Sequence, residues 1–162
     1  MIPRYKELKY DGKIYTKRYE IDDLLIENNF GWLIDAEVEN LRIEIISDTL
    51  VINAGVWYNG IFEYGVIRDI DWRNGNFENG VVYNGVFKRI MMDNGIIFNG
   101  VFLNGEIKFA EIRGGDFRNV NISKNCKRET AIKVEKPAVQ PEKIQEEPQT
   151  QNESYIKRFK DF

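Results

Sequence analysis

The chain has 162 residues, 30% of them charged, with a net charge of −3. That is enough for one ordinary domain with appendages, and it lacks the cationic excess that coats nucleic acid or anionic lipid. There is no His and one Cys, which excludes His acid–base catalysis, His metal sites, Cys/His nucleophile pairs, zinc ribbons and an intrachain disulfide. No stretch approaches the ~20 apolar residues of a membrane span, and the first residues carry no apolar signal core. The expectation is a chain that is cytoplasmic at synthesis, needs no cofactor or metal, and has no membrane or direct nucleic-acid partner.

Residues 1–29 are expected to form an N-terminal cap. Leu8-Lys9-Tyr10-Asp11-Gly12-Lys13-Ile14-Tyr15 reads as a hairpin turning at Asp-Gly, and Ile21 to Glu27 as a short helix. Tyr5, Tyr10, Tyr15 and Tyr19 are read as cover for the end of a neighbouring core, in preference to a recognition surface.

Residues 30–123 are expected to form a repeat. Asn-Gly occurs at 59–60, 74–75, 79–80, 84–85, 94–95, 99–100 and 104–105, all in one phase of a five-residue period. In that phase the fourth position of every block from Thr49 to Ser123 is apolar, from Ile52, Trp57 and Phe62 through to Phe117 and Ile122. A period of five matches neither helix nor flat strand, so the chain must turn once per block. The position two earlier is mostly Gly and points the same way on an extended segment. Gly there is read as the volume complement of large inward side chains, and the preceding Asn as the positive-φ corner residue. Leu50, Ile70, Ile90 and Ala110 replace Gly every twenty residues, which predicts four blocks per turn and a square section, with inward columns such as Ile52/Trp72/Met92/Ile112 and an Asn59/Asn79/Asn99/Asn119 ladder. A looser copy in a shifted phase runs upstream through Gly31/Leu33, Ala36/Val38 and Leu41/Ile43.

This pattern resembles the pentapeptide-repeat family, which implies an all-β fold: a right-handed quadrilateral β-helix, here with a small N-terminal cap and a disordered C-terminal tail. The Gly-with-Phe/Trp variant is similar to Phe/Trp-x-Asn-Gly repeats in proteins of large tailed bacteriophages. The family also contains DNA mimics that bind gyrase, and homodimers joined through coil ends. The region 30–123 holds 13 acidic and 8 basic residues, and Arg68, Arg73, Lys88, Arg89, Lys108, Arg113 and Arg118 interrupt its acidic faces.

Beyond the repeat, Cys126 between lysines reads as an incidental thiol whose pKa they would lower. Residues 124–153, rich in Lys, Glu, Gln and Pro, are expected to be a disordered linker, after a strand near Thr130 to Val134 that extends the last coil. Residues 154–162 return to apolar character, with Tyr155, Ile156, Phe159 and Phe162 on one helical face beside Lys157. The string Ile-Lys-Arg-Phe-Lys-Asp-Phe is similar to terminal peptides that direct proteins into the proheads of large tailed phages. Two readings stand level: Tyr155, Ile156, Lys157, Phe159 and Phe162 are candidate docking residues for a capsid, scaffold or other virion protein, or the terminus folds back on the prism itself. The outward carboxylates Asp69, Asp71, Glu78, Glu106, Glu111 and Asp116 show no catalytic spacing, so no enzyme is expected.

The inward/outward assignment predicts that Phe87→Asp abolishes cooperative thermal unfolding, whereas Lys88→Asp changes stability by less than about 0.5 kcal/mol. Equal effects at these two positions would overturn the assignment.

Overall fold

Each block from Thr49 onward lays its third and fourth residues in a short strand and bends before the next. The computed structural model describes residues 2–129 and the backbone of residues 133–135. Successive strands Val66–Ile67, Asp71–Trp72 and Asn76–Phe77 pair in parallel with strands fifteen residues away. Val66 is in register with Val51 and Val81, Asp71 with Val56 and Val86, and Asn76 with Ile61 and Met91. The amides of Arg68, Arg73 and Glu78 donate to the carbonyls of Ile52, Trp57 and Phe62, each at 2.8 Å. Residues 49–123 thus wind into a β-solenoid of about five turns, roughly 24 Å long at a strand spacing of ~4.8 Å.

All of the fourth-position residues are buried, as the five-residue pattern requires. The square section is corrected to a three-sided one, because three blocks complete a turn. The inward columns are Ile52/Ile67/Val82/Ile97/Ile112, Trp57/Trp72/Phe87/Phe102/Phe117 and Phe62/Phe77/Met92/Ile107/Ile122. Aromatic rings stack along them: Trp57 on Trp72 at 4.7 Å, Phe62 on Phe77 at 4.8 Å, and Phe87 on Phe102 at 4.5 Å. Between columns they meet edge to face, as Trp57 and Phe62 do at 6.0 Å. The tube has no bore; it is filled.

The large residues at every twentieth position have a different origin from the one expected. A step of twenty is one turn of fifteen plus one face of five, so Leu50, Ile70 and Ile90 climb the prism as a spiral. Each is bordered along its own column by glycine, Ile70 by Gly55 and Gly85, and Ile90 by Gly75 and Gly105. A bulky side chain at this position never stacks on another.

The glycines also answer to a stronger constraint than interior volume. A Cβ on Gly80 would stand 2.1 Å from the carbonyl oxygen of Gly65, and one on Gly105 would stand 1.8 Å from that of Ile90, in the coil below. Both have φ near +130°, a region L side chains rarely occupy. The volume argument holds where a ring folds back on its own block, as Phe87 does over Gly85 at 2.9 Å from the virtual Cβ. The preceding asparagines of the Asn-Gly pairs do not carry the positive φ; the glycines do.

The shifted-phase copy upstream is also corrected. β1 (Tyr5–Tyr10) and β2 (Lys13–Tyr15) form an antiparallel hairpin at Asp11-Gly12. Helix α1 (Arg18–Glu27) and a 3₁₀ turn (Gly31–Asp35) follow. β3 (Glu37–Ile46) then runs antiparallel to β4 (Thr49–Asn59), the first strand of the solenoid. The cause is the two-residue turn Ser47-Asp48, both with positive φ (46° and 60°), which reverses the chain where a coil would have continued. β1 pairs with the far edge of β3, Leu8 opposite Ile43. Ile21, Leu25, Phe30 and Leu33 are fully buried in the same core as Trp57 and Phe62.

At the other end the last coil widens. Lys127 is in register with Glu111, sixteen residues back, and Lys133 with Asp116, seventeen back. Lys133–Glu135 is the strand expected near Thr130 to Val134; Thr130, Ala131 and Ile132 lie outside the described residues, as does most of the expected linker.

Trp57 and Trp72 lie face to face, 2° from parallel, only in a fifteen-residue register. Trp72→Leu is therefore expected to cost about 2 kcal/mol in urea unfolding, and its effect to be non-additive with that of Trp57→Leu by more than about 0.5 kcal/mol. Strictly additive effects of the two substitutions would refute the register.

Candidate functional site

With the interior filled, the polar chemistry of the described solenoid lies on its three outer faces, where the first, third and fifth residues of each block point outward. One face carries Tyr64/Val66/Arg68 and Asn79/Val81/Tyr83. The next carries Asp69/Asp71/Arg73 and Asn84/Val86/Lys88. The third carries Asn74/Asn76/Glu78 and Arg89/Met91/Asp93.

Charges two apart on one strand neutralise each other locally. Asp71 meets Arg73 at 3.4 Å, Glu111 meets Arg113 at 2.6 Å, and Asp116 meets Arg118 at 2.9 Å. Asp69 is a corner acceptor, taking the amide of Ile70 at 3.0 Å and the side chain of Asn84 at 3.5 Å. Side-chain amides do form ladders, but at fifteen residues: Asn74 donates to Asn59 at 3.2 Å and Asn99 to Asn84 at 3.5 Å. The expected Asn59/Asn79/Asn99/Asn119 ladder falls with the square section.

Of the six outward carboxylates, Asp69 sits at the bend before the strand that holds Asp71, and Glu106 and Glu111 lie on the one strand Gly105–Ile112. Glu78 instead joins two carboxylates that sequence reasoning passed over, Glu63 below it and Asp93 above. Burial, followed by repulsion from Glu63 and Asp93, raises its pKa from the ordinary carboxylate value. The signal was in the sequence, as acidic residues following the inward position at 63, 78 and 93, but it aligns only at a spacing of fifteen. Lys108 continues the column and meets Asp93 at 3.2 Å. Among the described residues no group of three His, Cys, Asp or Glu side chains is placed to hold a metal ion.

The N-terminal tyrosines divide. Tyr10 and Tyr15 pack against the core, Tyr19 is exposed, and Tyr5 is buried. Arg4, which sequence reasoning missed, anchors this end. Its guanidinium donates to the carbonyls of Leu33 and Ile34 (2.8 Å) within the 3₁₀ turn and of Ala36 (2.5 Å) just after it, and to the Tyr5 hydroxyl at 2.9 Å. Tyr5 in turn donates to Asp22 at 3.0 Å. Burial pushes the Tyr5 phenol up to about 12, against the opposing pull of Arg4.

The direction expected for the Cys126 pKa is reversed. Its side chain is fully buried, with Sγ 3.6 Å from the Ile107 carbonyl oxygen, and desolvation pushes the thiol up to about 11. The lysines at 124 and 127 point to solvent and do not offset that burial. Tyr155, Ile156, Lys157, Phe159 and Phe162 lie outside the described residues. No family model, no curated protein and no solved structure matches this chain.

Tyr5 and Cys126 bind a proton more tightly folded than unfolded, so their contribution is complete below the unfolded pKa and is lost as pH rises through the folded one. For Cys126 the window runs from 9.0 to about 11. Stability is expected to fall between about pH 8 and pH 10.5 by on the order of 2 kcal/mol more in the native chain than in Cys126→Ala, measured by urea unfolding. Identical pH dependence of the two proteins would refute the burial of the thiol.

Proposed function

We propose that the protein is a non-enzymatic structural or adaptor component of a bacteriophage virion or of its assembly. The prism is a rigid spacer and platform, and residues 154–162 are the peptide that docks it on a capsid or scaffold protein. The observation that carries this reading is the filled three-sided tube. Stacked side chains occupy the space where a solenoid could have held a ligand, so recognition falls to the flat outer faces and to the chain beyond them. The Asn-Gly/Phe blocks, which resemble pentapeptide repeats of tailed-phage proteins, and the terminal Ile-Lys-Arg-Phe-Lys-Asp-Phe add the viral context.

Mimicry of DNA toward an enzyme such as gyrase is the competing reading. It is weakened by three acid–base pairs two residues apart, Asp71/Arg73, Glu111/Arg113 and Asp116/Arg118, which break up a continuous anionic face, and by a section that is not four-sided. Association through coil ends has one free route fewer than a bare solenoid, because β3 already pairs with the N-terminal edge of β4. The C-terminal end is the surface for a homodimer of that kind.

The test is affinity capture with mass spectrometry from infected or native-source lysate, comparing the complete chain with one ending at Glu153. Loss of capsid or scaffold proteins on truncation is the expected result. Recovery of a topoisomerase by both chains would overturn the proposal in favour of mimicry.

A further inference from the structure

The three faces differ in what they leave open. On one, the central outward row Val51, Val66, Val81 and Ile96 is at most 2% exposed, closed over by Ile46, Tyr83 and Phe98 of the same chain. The face that follows it is open. Its central row Asp71, Val86, Val101 and Asp116 is in register from coil to coil, and Val86 is 41% exposed. Two residues further along the same strands stand Arg73, Lys88, Leu103 and Arg118.

The strip therefore has charge at both ends and apolar surface between them. Asp71 pairs with Arg73 at one end and Asp116 with Arg118 at the other, and all four side chains keep 36% to 57% of their surface open. Exposed pairs of this kind stabilise a single molecule little, so their charges remain available to a second one. In both pairs the acid precedes the base by two residues, so the strip is complementary to its own reverse.

We propose that this face binds the same face of a second copy of the chain, about a two-fold axis parallel to the prism axis. That operation sets each coil opposite the same coil of the other copy and reverses the strand direction. Asp71 then meets the second copy's Arg73, Asp116 meets its Arg118, and Val101 meets its Leu103, while Val86 lies on the stem of its Lys88. A two-fold axis along the strands would instead set Asp71 on Asp116 and Arg73 on Arg118, like charge on like. The remaining face fails the same operation, because it would press Glu63 and Asp93 onto Ile61 and Met91 and bury carboxylates against apolar surface. Five coils of the open face, from Val56 to Asp116, at ~4.8 Å each, and five residues at ~3.3 Å give a footprint of roughly 400 Å² per copy, so the association is weak and reversible. It needs neither a coil end nor residues 154–162, and it stands or falls apart from the functional proposal.

The test is sedimentation equilibrium of the complete chain from micromolar to millimolar concentration. A reversible dimer is expected, with its dissociation constant raised about tenfold by Val101→Asp and by Arg73→Asp, while thermal unfolding stays cooperative. The exchange Asp71→Arg with Arg73→Asp is expected to restore association of the variant with itself and to weaken its mixed dimers with the native chain, where like charges then meet. A chain that stays monomeric at millimolar concentration would overturn the proposal, as would a dimer indifferent to these substitutions, which would place the contact at the coil ends. Mixed dimers as strong as native ones would rule out the parallel two-fold.

Discussion

The structure depends on the stacking of like side chains at one coil's spacing. Rings 4.5 to 4.8 Å apart and nearly parallel stack only where consecutive coils keep the same register, with one tilted step in the aromatic column, from Trp72 to Phe87 at 5.9 Å. Parallel strand pairing supplies that spacing, and the piled rings in turn hold the register. One column is aliphatic and mostly β-branched, one is aromatic throughout, and the third changes from Phe to Met and Ile. From this follow the close approach of backbones at the corners, the glycines that permit it, and a tube with nothing left inside to bind.

A solenoid of stacked strands exposes unpaired backbone at its ends, and the two ends are built differently. At the N-terminus a reversal at Ser47-Asp48 folds β3 back on the first coil, and α1 and the 3₁₀ turn bury Ile21, Leu25, Phe30 and Leu33 over its opening. Arg4 binds the carbonyls there through several N–H groups at once, which a lysine could not reproduce. At the C-terminus the coil gains one and then two residues, and Cys126 fills the last inward space as a small apolar group.

Because the interior is spent on packing, whatever the protein does it does with its surface. The faces are not equivalent. Two carry alternating charges, amide ladders and scattered exposed apolar residues. The third hides an apolar row beside an acidic border and leaves two buried acceptors unpaired. The acidic column and the row are both present in the sequence at spacings of fifteen, and a twenty-residue turn scatters both over different faces.

The sequence by itself determined that the chain turns every five residues and which side chain of each block points inward. It even held a clue to the turn, since Trp57 falls with Trp72 and Ile52 with Ile67 only at fifteen. But five divides both fifteen and twenty, and every fourth-position residue is apolar, so either period yields wholly apolar columns. Only the tertiary structure decided between three sides and four, because that choice rests on which rings lie against which and on how closely the backbones approach at each glycine. It also decided that Leu41 and Ile43 belong to a returning strand and that Cys126 is buried, since both depend on where a reversed or widened chain comes to rest against residues distant in sequence.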